Sequence, residues 1–285
     1  MTLLDMQRVL SRILTDKAFQ RSFIEGDEPD PAAYRLTGRE LSSLRDLRWD
    51  RVGLHAGLLA HGRLELALKS LPLTRLLLHE QLYEQLDRFC AEYPPTPEAA
   101  SHAWSEGSRL CDFVTRLIGE EVLRPDWAAD LVRYERILLA LATSAEAAAS
   151  AVRTSERNDE QAGPEPGRPS AHLVPVTGPH VEVASFGHPL VELIPMLQDG
   201  HPPTSVHRLE RPLLLLFHKA PRGPVRIVRI NEPTAALITS CDGDQTITGV
   251  MDLLSAQFGP GVQARAAASF DWLRENGVVT FRERP

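Results

Sequence analysis

Residues able to do chemistry gather most densely in "ITSCDGDQTITGVMDLL", Ile238 to Leu254, where Cys241, Asp242 and Asp244 surround Gly243. A helix–loop–helix calcium site needs oxygen ligands at alternating positions and a glutamate at the twelfth. Counted from Asp242, Asp244 is in phase, but Thr246 is a weak ligand and the twelfth residue is Leu253. Cys241 has no neighbouring His or Lys to activate its thiol. The spacing predicts a corner between two helices, with Asp242-Gly243 turning the chain and Cys241 packing as a small apolar residue. None of the ten histidines has another His or a Cys three or four residues away, the spacing that helix-borne metal sites use. His102 and Trp104 read as helix-start residues packing together, and Glu120-Glu121 as a solvated helix end. There is no GxSxG elbow, Walker loop or GxGxxG turn. No motif or spacing in the sequence points to a self-contained active site, and no metal or cofactor site is expected in this chain.

The elements that position these residues belong to a globular chain. Of 285 residues, 43% are hydrophobic and 24% charged, enough for two domains with separate cores. A net charge of −7 argues against a dedicated nucleic-acid binder. Cys90, Cys111 and Cys241 form no CxxC pair, which fits a reducing compartment. The N-terminal "MTLLDMQRVLSRIL" is interrupted by Asp5, Arg8 and Arg12 and does not read as a signal peptide. The apolar run from Pro212 to Phe217 is far too short for a bilayer span. These features predict a cytoplasmic protein without a membrane partner.

A Pro-, Gly-, Ser- and charge-rich stretch, Arg153 to His172, predicts a flexible linker between a domain at 1–152 and a domain at 173–285. The first domain reads as an all-α bundle of about six to eight helices, from apolar residues at three- and four-residue steps. Thr37 and Glu40 form a possible capping box, and Pro72 breaks a long helical pattern. In the second domain, Leu213–Phe217 and Val225–Ile230 flank a turn and predict a β-hairpin. Within its second strand Val225, Ile227 and Ile230 are expected to pack, with Arg226 and Arg229 reaching water. Three helices follow, started by Asn231 with Pro233, by Thr246, and by the segment at Val262, the last ending at Gly277. A terminal strand at "VVTF" completes a winged-helix-like arrangement. The fold class expected is α+β.

The segment "VRIVRINEPTAALITSCDGDQTITGVMDLL", with "FDWLRENGVVTF" after it, resembles the PqqD-like fold, the recognition element of enzymes that modify ribosomally made peptides (RiPPs). Asn231, Ala235, Cys241, Asp242, Gly243, Thr246 and Gly277 carry that resemblance. Upstream, Tyr93-Pro94-Pro95, Cys111-Asp112-Phe113-Val114, and Asp130-Leu131 with Tyr134-Glu135 resemble the HvfC-related helical domain of accessory subunits of the MbnC/TglI type. "CDFV" departs from the aromatic pair usual there. The resemblance implies a non-catalytic partner in RiPP biosynthesis, forming a heterodimer with a TIM-barrel enzyme whose multinuclear non-haem iron belongs to that enzyme. The precursor's leader peptide is then expected to add as a strand to Val225, Arg226, Ile227, Val228, Arg229 and Ile230. Its side chains would enter a groove around Phe270, Leu273 and Arg274. Arg226 and Arg229 either steer acidic leader residues or are ordinary solvated decoration. The alternative is a winged-helix transcriptional regulator with a helical sensing domain. Its reading helix would offer Gln263 and Arg265 but then alanines and Asp271.

Overall fold

A computed structural model describes residues 3–27, 34–95, 103–155, 172–203, 205–219 and 223–283. Among them the chain is a mixed α+β protein of twelve helices and five strands, divided into compact units Met1–Val132 and Arg133–Pro285.

The first unit is helical throughout its described residues: α1 (Leu3–Thr15), α2 (Lys17–Glu25), α3 (Gly38–Arg45), α4 (Trp49–Lys69), α5 (Pro72–Glu84), α6 (Leu86–Glu92), α7 (Ala103–Gly119) and the first turn of α8 (Ala128–Ser155). Local chemistry sets the breaks. Asp16 ends α1 and caps α2, accepting from the Phe19 N–H at 2.9 Å. The capping box at Thr37 and Glu40 forms as the sequence predicts. Pro72 occupies the first turn of α5, where its missing N–H costs no helical bond. Val9, Ile13, Phe19, Phe23, Leu41 and Leu44 close one core. The long α4 packs most extensively on α7. There Arg63 donates two 2.8 Å bonds to Glu106, which is 1% exposed. Trp104, expected to pack inward at the start of α7, is exposed, and His102 lies outside the described residues.

The second unit holds the rest of α8 and two antiparallel sheets. β1 (Val174–Thr177) pairs with β5 (Val279–Arg282), and β2 (Val181–Phe186), β3 (Leu213–Lys219) and β4 (Val225–Ile230) follow in that order. Helix α9 (Leu190–Gln198) lies between β2 and β3 in sequence, and α10 (Glu232–Thr239), α11 (Ile247–Phe258) and α12 (Val262–Glu275) follow β4. The β3–β4 hairpin forms as expected, although residues 220–222 of its turn lie outside the described residues. "VEVASF", with its β-branched residues, is strand β2. The terminal strand pairs with β1 in a sheet of its own.

The period of two assigns the sheet's faces. Leu216, Val228, Ile230, Val181 and Val183 pack with Leu237, Val250, Leu254, Phe270 and Leu273 of α10–α12. On the other face Phe186 and Phe217 meet the Tyr134 ring of α8, at centroid distances of 6.4 and 5.5 Å. Arg133 donates to the Ser185 carbonyl at 3.0 Å, and Lys219 to the Ala142 carbonyl at 3.3 Å. Helix α8 thus covers the sheet within the same compact unit. That unit begins at Arg133, inside α8. Residues 156–171 of the expected linker lie outside the described residues, and 153–155 are still helical. No described helix is long and apolar enough to cross a membrane.

Candidate functional site

Strand β4 is the outermost strand of its sheet: it pairs with β3 on one side and, among the described residues, with no strand on the other. Such an edge presents alternate backbone N–H and C=O groups ready for another strand. The helix α12 runs beside it. Arg226 Nη1 donates to Asn276 Oδ1 at 3.3 Å, which fixes one end of the alignment. Working back along α12, Trp272, Ser269 and Arg265 follow Asn276 at three- and four-residue steps, so they share one helix face. Between strand and helix lies a hollow of about 280 Å³, lined by Val228, Ile230, Thr234, Ser269, Trp272 and Leu273 together with Ala268.

The structure sorts the nine residues singled out in the sequence. Val228, Ile230 and Leu273 line the hollow, with Leu273 as a fully buried floor. Arg226 shares their sheet face and lies beside Asn276. Val225, Ile227 and Arg229 belong to the opposite face, Ile227 opposite Phe217 and 38% exposed. The expected packing set of Val225, Ile227 and Ile230 is corrected accordingly. A run of alternating and doubled apolar residues hides its phase, and only the register with β3 fixes it. Phe270 is also corrected: it is buried in the core 6.0 Å from the Phe281 ring and does not line the groove. Arg274 lies outside the hollow's lining as well.

Trp272, Ser269 and Thr234 are not singled out in the sequence, and Arg265 enters there only as a DNA-reading side chain of the alternative. Each helical residue turns the side chain by 100°, so choosing Phe270 and Leu273 as apolar landmarks selected the core face of α12 and missed its neighbour. A usable signal existed: Arg265, Ser269, Trp272 and Asn276 recur at helical spacing, on a face distinct from that of Val262, Ala266, Phe270 and Leu273.

His218 lies beneath this edge. It is 2% exposed, directly opposite Arg226 in the β3–β4 register, and its ring meets Trp272 edge-on at 6.2 Å. Its Nε2 has no hydrogen-bond partner among the described residues. Burial holds its pKa below the ordinary imidazole value, and the Arg226 charge adds to that.

A second hollow of about 380 Å³ adjoins the first, between α10 and α12. It is lined by Asn231, Leu237, Phe258, Val262, Arg265 and Ala266, and it shares Thr234 and Ser269 with the first. Asn231 Oδ1 accepts from the Thr234 N–H at 2.9 Å and caps α10, and Thr246 caps α11, both as the sequence predicts.

The Cys241 corner has the predicted structural form. The thiol is buried, donates to the Leu237 carbonyl at 3.1 Å, and is pushed up to about 12 by burial, with Asp242 adding. Gly243 has φ +91°, and its carbonyl accepts from Arg282 at 2.7 Å. A Cβ there would stand 2.7 Å from the tip of the Arg282 side chain, which can shift, so it is the positive φ that calls for glycine. β1 docks against this corner through Thr177, whose N–H bonds the Cys241 carbonyl at 2.7 Å. Among the described residues no three His, Cys, Asp or Glu side chains converge as a metal-ligand group.

In the first unit, α1 and α4 enclose an open apolar hollow of about 400 Å³ lined by Leu10, Leu14, Leu47, Val52, Leu58 and Leu59 among others. Leu58 is 60% exposed, and Leu54 beside it is similarly bare. No protein-family model matches this chain, and no curated protein matches it in sequence.

Proposed function

We propose that this chain is a non-catalytic partner protein in RiPP biosynthesis, which captures a precursor peptide by strand addition and presents it to an iron-dependent enzyme. The observation that carries this reading is the open edge of β4 standing beside the hollow lined by Val228, Ile230 and Trp272. An extended peptide on that edge gains main-chain hydrogen bonds, and every second side chain enters the hollow. Each such bond contributes about 0.5–1.5 kcal/mol net, so specificity falls to the side chains. The second unit would thus be a PqqD-type recognition element. Arg226 and Arg229 give the edge positive charge on a chain that is negative as a whole, which favours an acidic leader and speeds its encounter.

The iron belongs to the partner enzyme, and the chain's own residues bind and orient the peptide. The exposed leucines of α4 and the apolar hollow beside them supply the kind of surface that an obligate partner covers. Such heterodimers bury over ~2,000 Å² in total. A DNA-reading role finds less support, because Arg265 on α12 is flanked by Ala264, Ala267 and Ala268 rather than by further base-reading side chains.

The test is fluorescence anisotropy with a labelled precursor peptide from a short reading frame neighbouring this chain's own, using Ile227→Pro and Val228→Pro. Successive N–H groups of an edge strand point in opposite directions, so one of the two prolines removes an outward donor and leaves the β3 ladder intact. That variant keeps its melting temperature and loses the peptide. Unchanged affinity in both variants rejects strand addition, and salt-sensitive binding to duplex DNA in place of the peptide favours the regulator.

A further inference from the structure

The two hollows along α12 are neighbours: Thr234 and Ser269 line both the space beside β4 and the space between α10 and α12. The order of contacts gives the pair a direction. Arg226 meets Asn276 at one end, Val228 and Ile230 line the first hollow with Trp272, Ser269 and Thr234, and Asn231, the next residue after Ile230, lines the second. Arg265 comes one turn further, past the end of the strand. A chain lying along β4 and continuing beyond Ile230 therefore passes directly into the second hollow.

The chemistry changes along the way. Leu237, Val262 and Ala266 are buried and form an apolar floor, with Phe258 half-buried beside them. The volume of about 380 Å³ lies within the range of roughly 300–1,000 Å³ typical of ligand clefts. Above that floor the fixed charge is Arg265, which is exposed and donates only; Thr234 and Ser269 contribute hydroxyls. The acidic side chain nearest in sequence, Glu232, stands between the lining residues Asn231 and Pro233 but is not itself among them. An apolar floor with a guanidinium at its rim selects an apolar side chain next to a carboxylate.

We infer that the peptide groove is bipartite, and that the hollow between α10 and α12 takes an apolar residue with an adjoining Asp or Glu from the N-terminal side of the strand-pairing segment. The inference rests on the strand-addition reading given above. Orientation follows from the sheet, in which every pair is antiparallel. A peptide added antiparallel to β4 has its N-terminal end at Ile230, beside the second hollow. Recognition would then need a segment longer than the strand, with an anchor at a fixed distance before it.

Selection of a phage-displayed random twelve-residue library on the immobilised full-length chain tests this, with the enriched clone synthesised and labelled with fluorescein. Enriched clones are expected to carry an apolar–acidic pair N-terminal to an alternating apolar segment. Arg265→Glu, a surface change, should weaken that clone at least ~10-fold, as a reversed charge at a close ion pair does. Ser269→Trp, which puts bulk where both hollows are lined, should weaken it as well. Both variants should melt as the parent does, and replacing the clone's acidic residue with Lys should restore binding to Arg265→Glu alone. Clones that are lost with the β4 proline variant yet indifferent to both α12 substitutions overturn the bipartite groove and leave strand addition standing. A library that yields no clone dependent on β4 overturns strand addition, and the second hollow's role falls with it.

Discussion

His218 carries an imidazole into a place where a charged ring is costly. It is buried under the β4 edge, faces Arg226 across the strand pair, and touches Trp272. Its folded-state pKa is lowered by burial first and by Arg226 second. Below the unfolded value of about 6.5 the unfolded chain binds the proton more readily. Stability is therefore full above that pH and declines as pH falls through it towards the folded pKa. Melting curves between pH 5 and 7.5 should show this decline, and His218→Phe should raise the melting temperature more at pH 5.5 than at pH 7.5. An equal shift at both pH values would assign the decline to other groups. The same scale shows why spacing served well at Cys241-Asp242-Gly243 and poorly at the groove. A missing ligand is visible in a linear count, as at Leu253. Which side of α12 meets β4 is a tertiary property, and Phe270 and Leu273 pointed to the core because apolar residues mark burial whatever covers them.

Among elements, the contact of α4 with α7 depends on a charge pair taken out of water. Arg63 and Glu106 bond through two 2.8 Å contacts, Arg63 also lies over the Phe89 ring, and Arg109 stands nearby at 3.6 Å. Removing one partner leaves the other buried without compensation, which typically costs about 3–5 kcal/mol. Glu106→Ala should destabilise the first unit by about 3–5 kcal/mol in urea unfolding, because Arg63 and Arg109 both lose their counter-charge. A loss below 1 kcal/mol would mean that water already reaches the pair. The pairing joins residues 43 apart, so no local pattern announced it. Helix starts and stops were legible, because Thr37, Pro72, Asn231 and Thr246 act through bonds within a few residues. Strands β1 and β2 were less so, since each is only four or six residues long and its partner lies far along the chain.

At the scale of the molecule, the second compact unit starts at Arg133, well before its first strand. The sheet face bearing Phe186 and Phe217 is covered by Tyr134, and Arg133 and Lys219 bond across the same contact. A fragment from Ala128 to Pro285 should melt cooperatively. One from Leu173 should lose that cover, melt lower and bind a hydrophobic dye. Equal melting of the two would show that the α8 contact contributes nothing to the sheet. The sequence by itself determined the α+β class, the caps and turns, the β3–β4 hairpin and the structural role of the Cys241 corner, because each follows from residues within a few positions of one another. The phase of β4, its place at the sheet edge, the face of α12 that lines the groove and the adjacency of the two hollows were decided only by tertiary structure. Those depend on which distant segments pack together, and apolar residues specify burial without naming the partner.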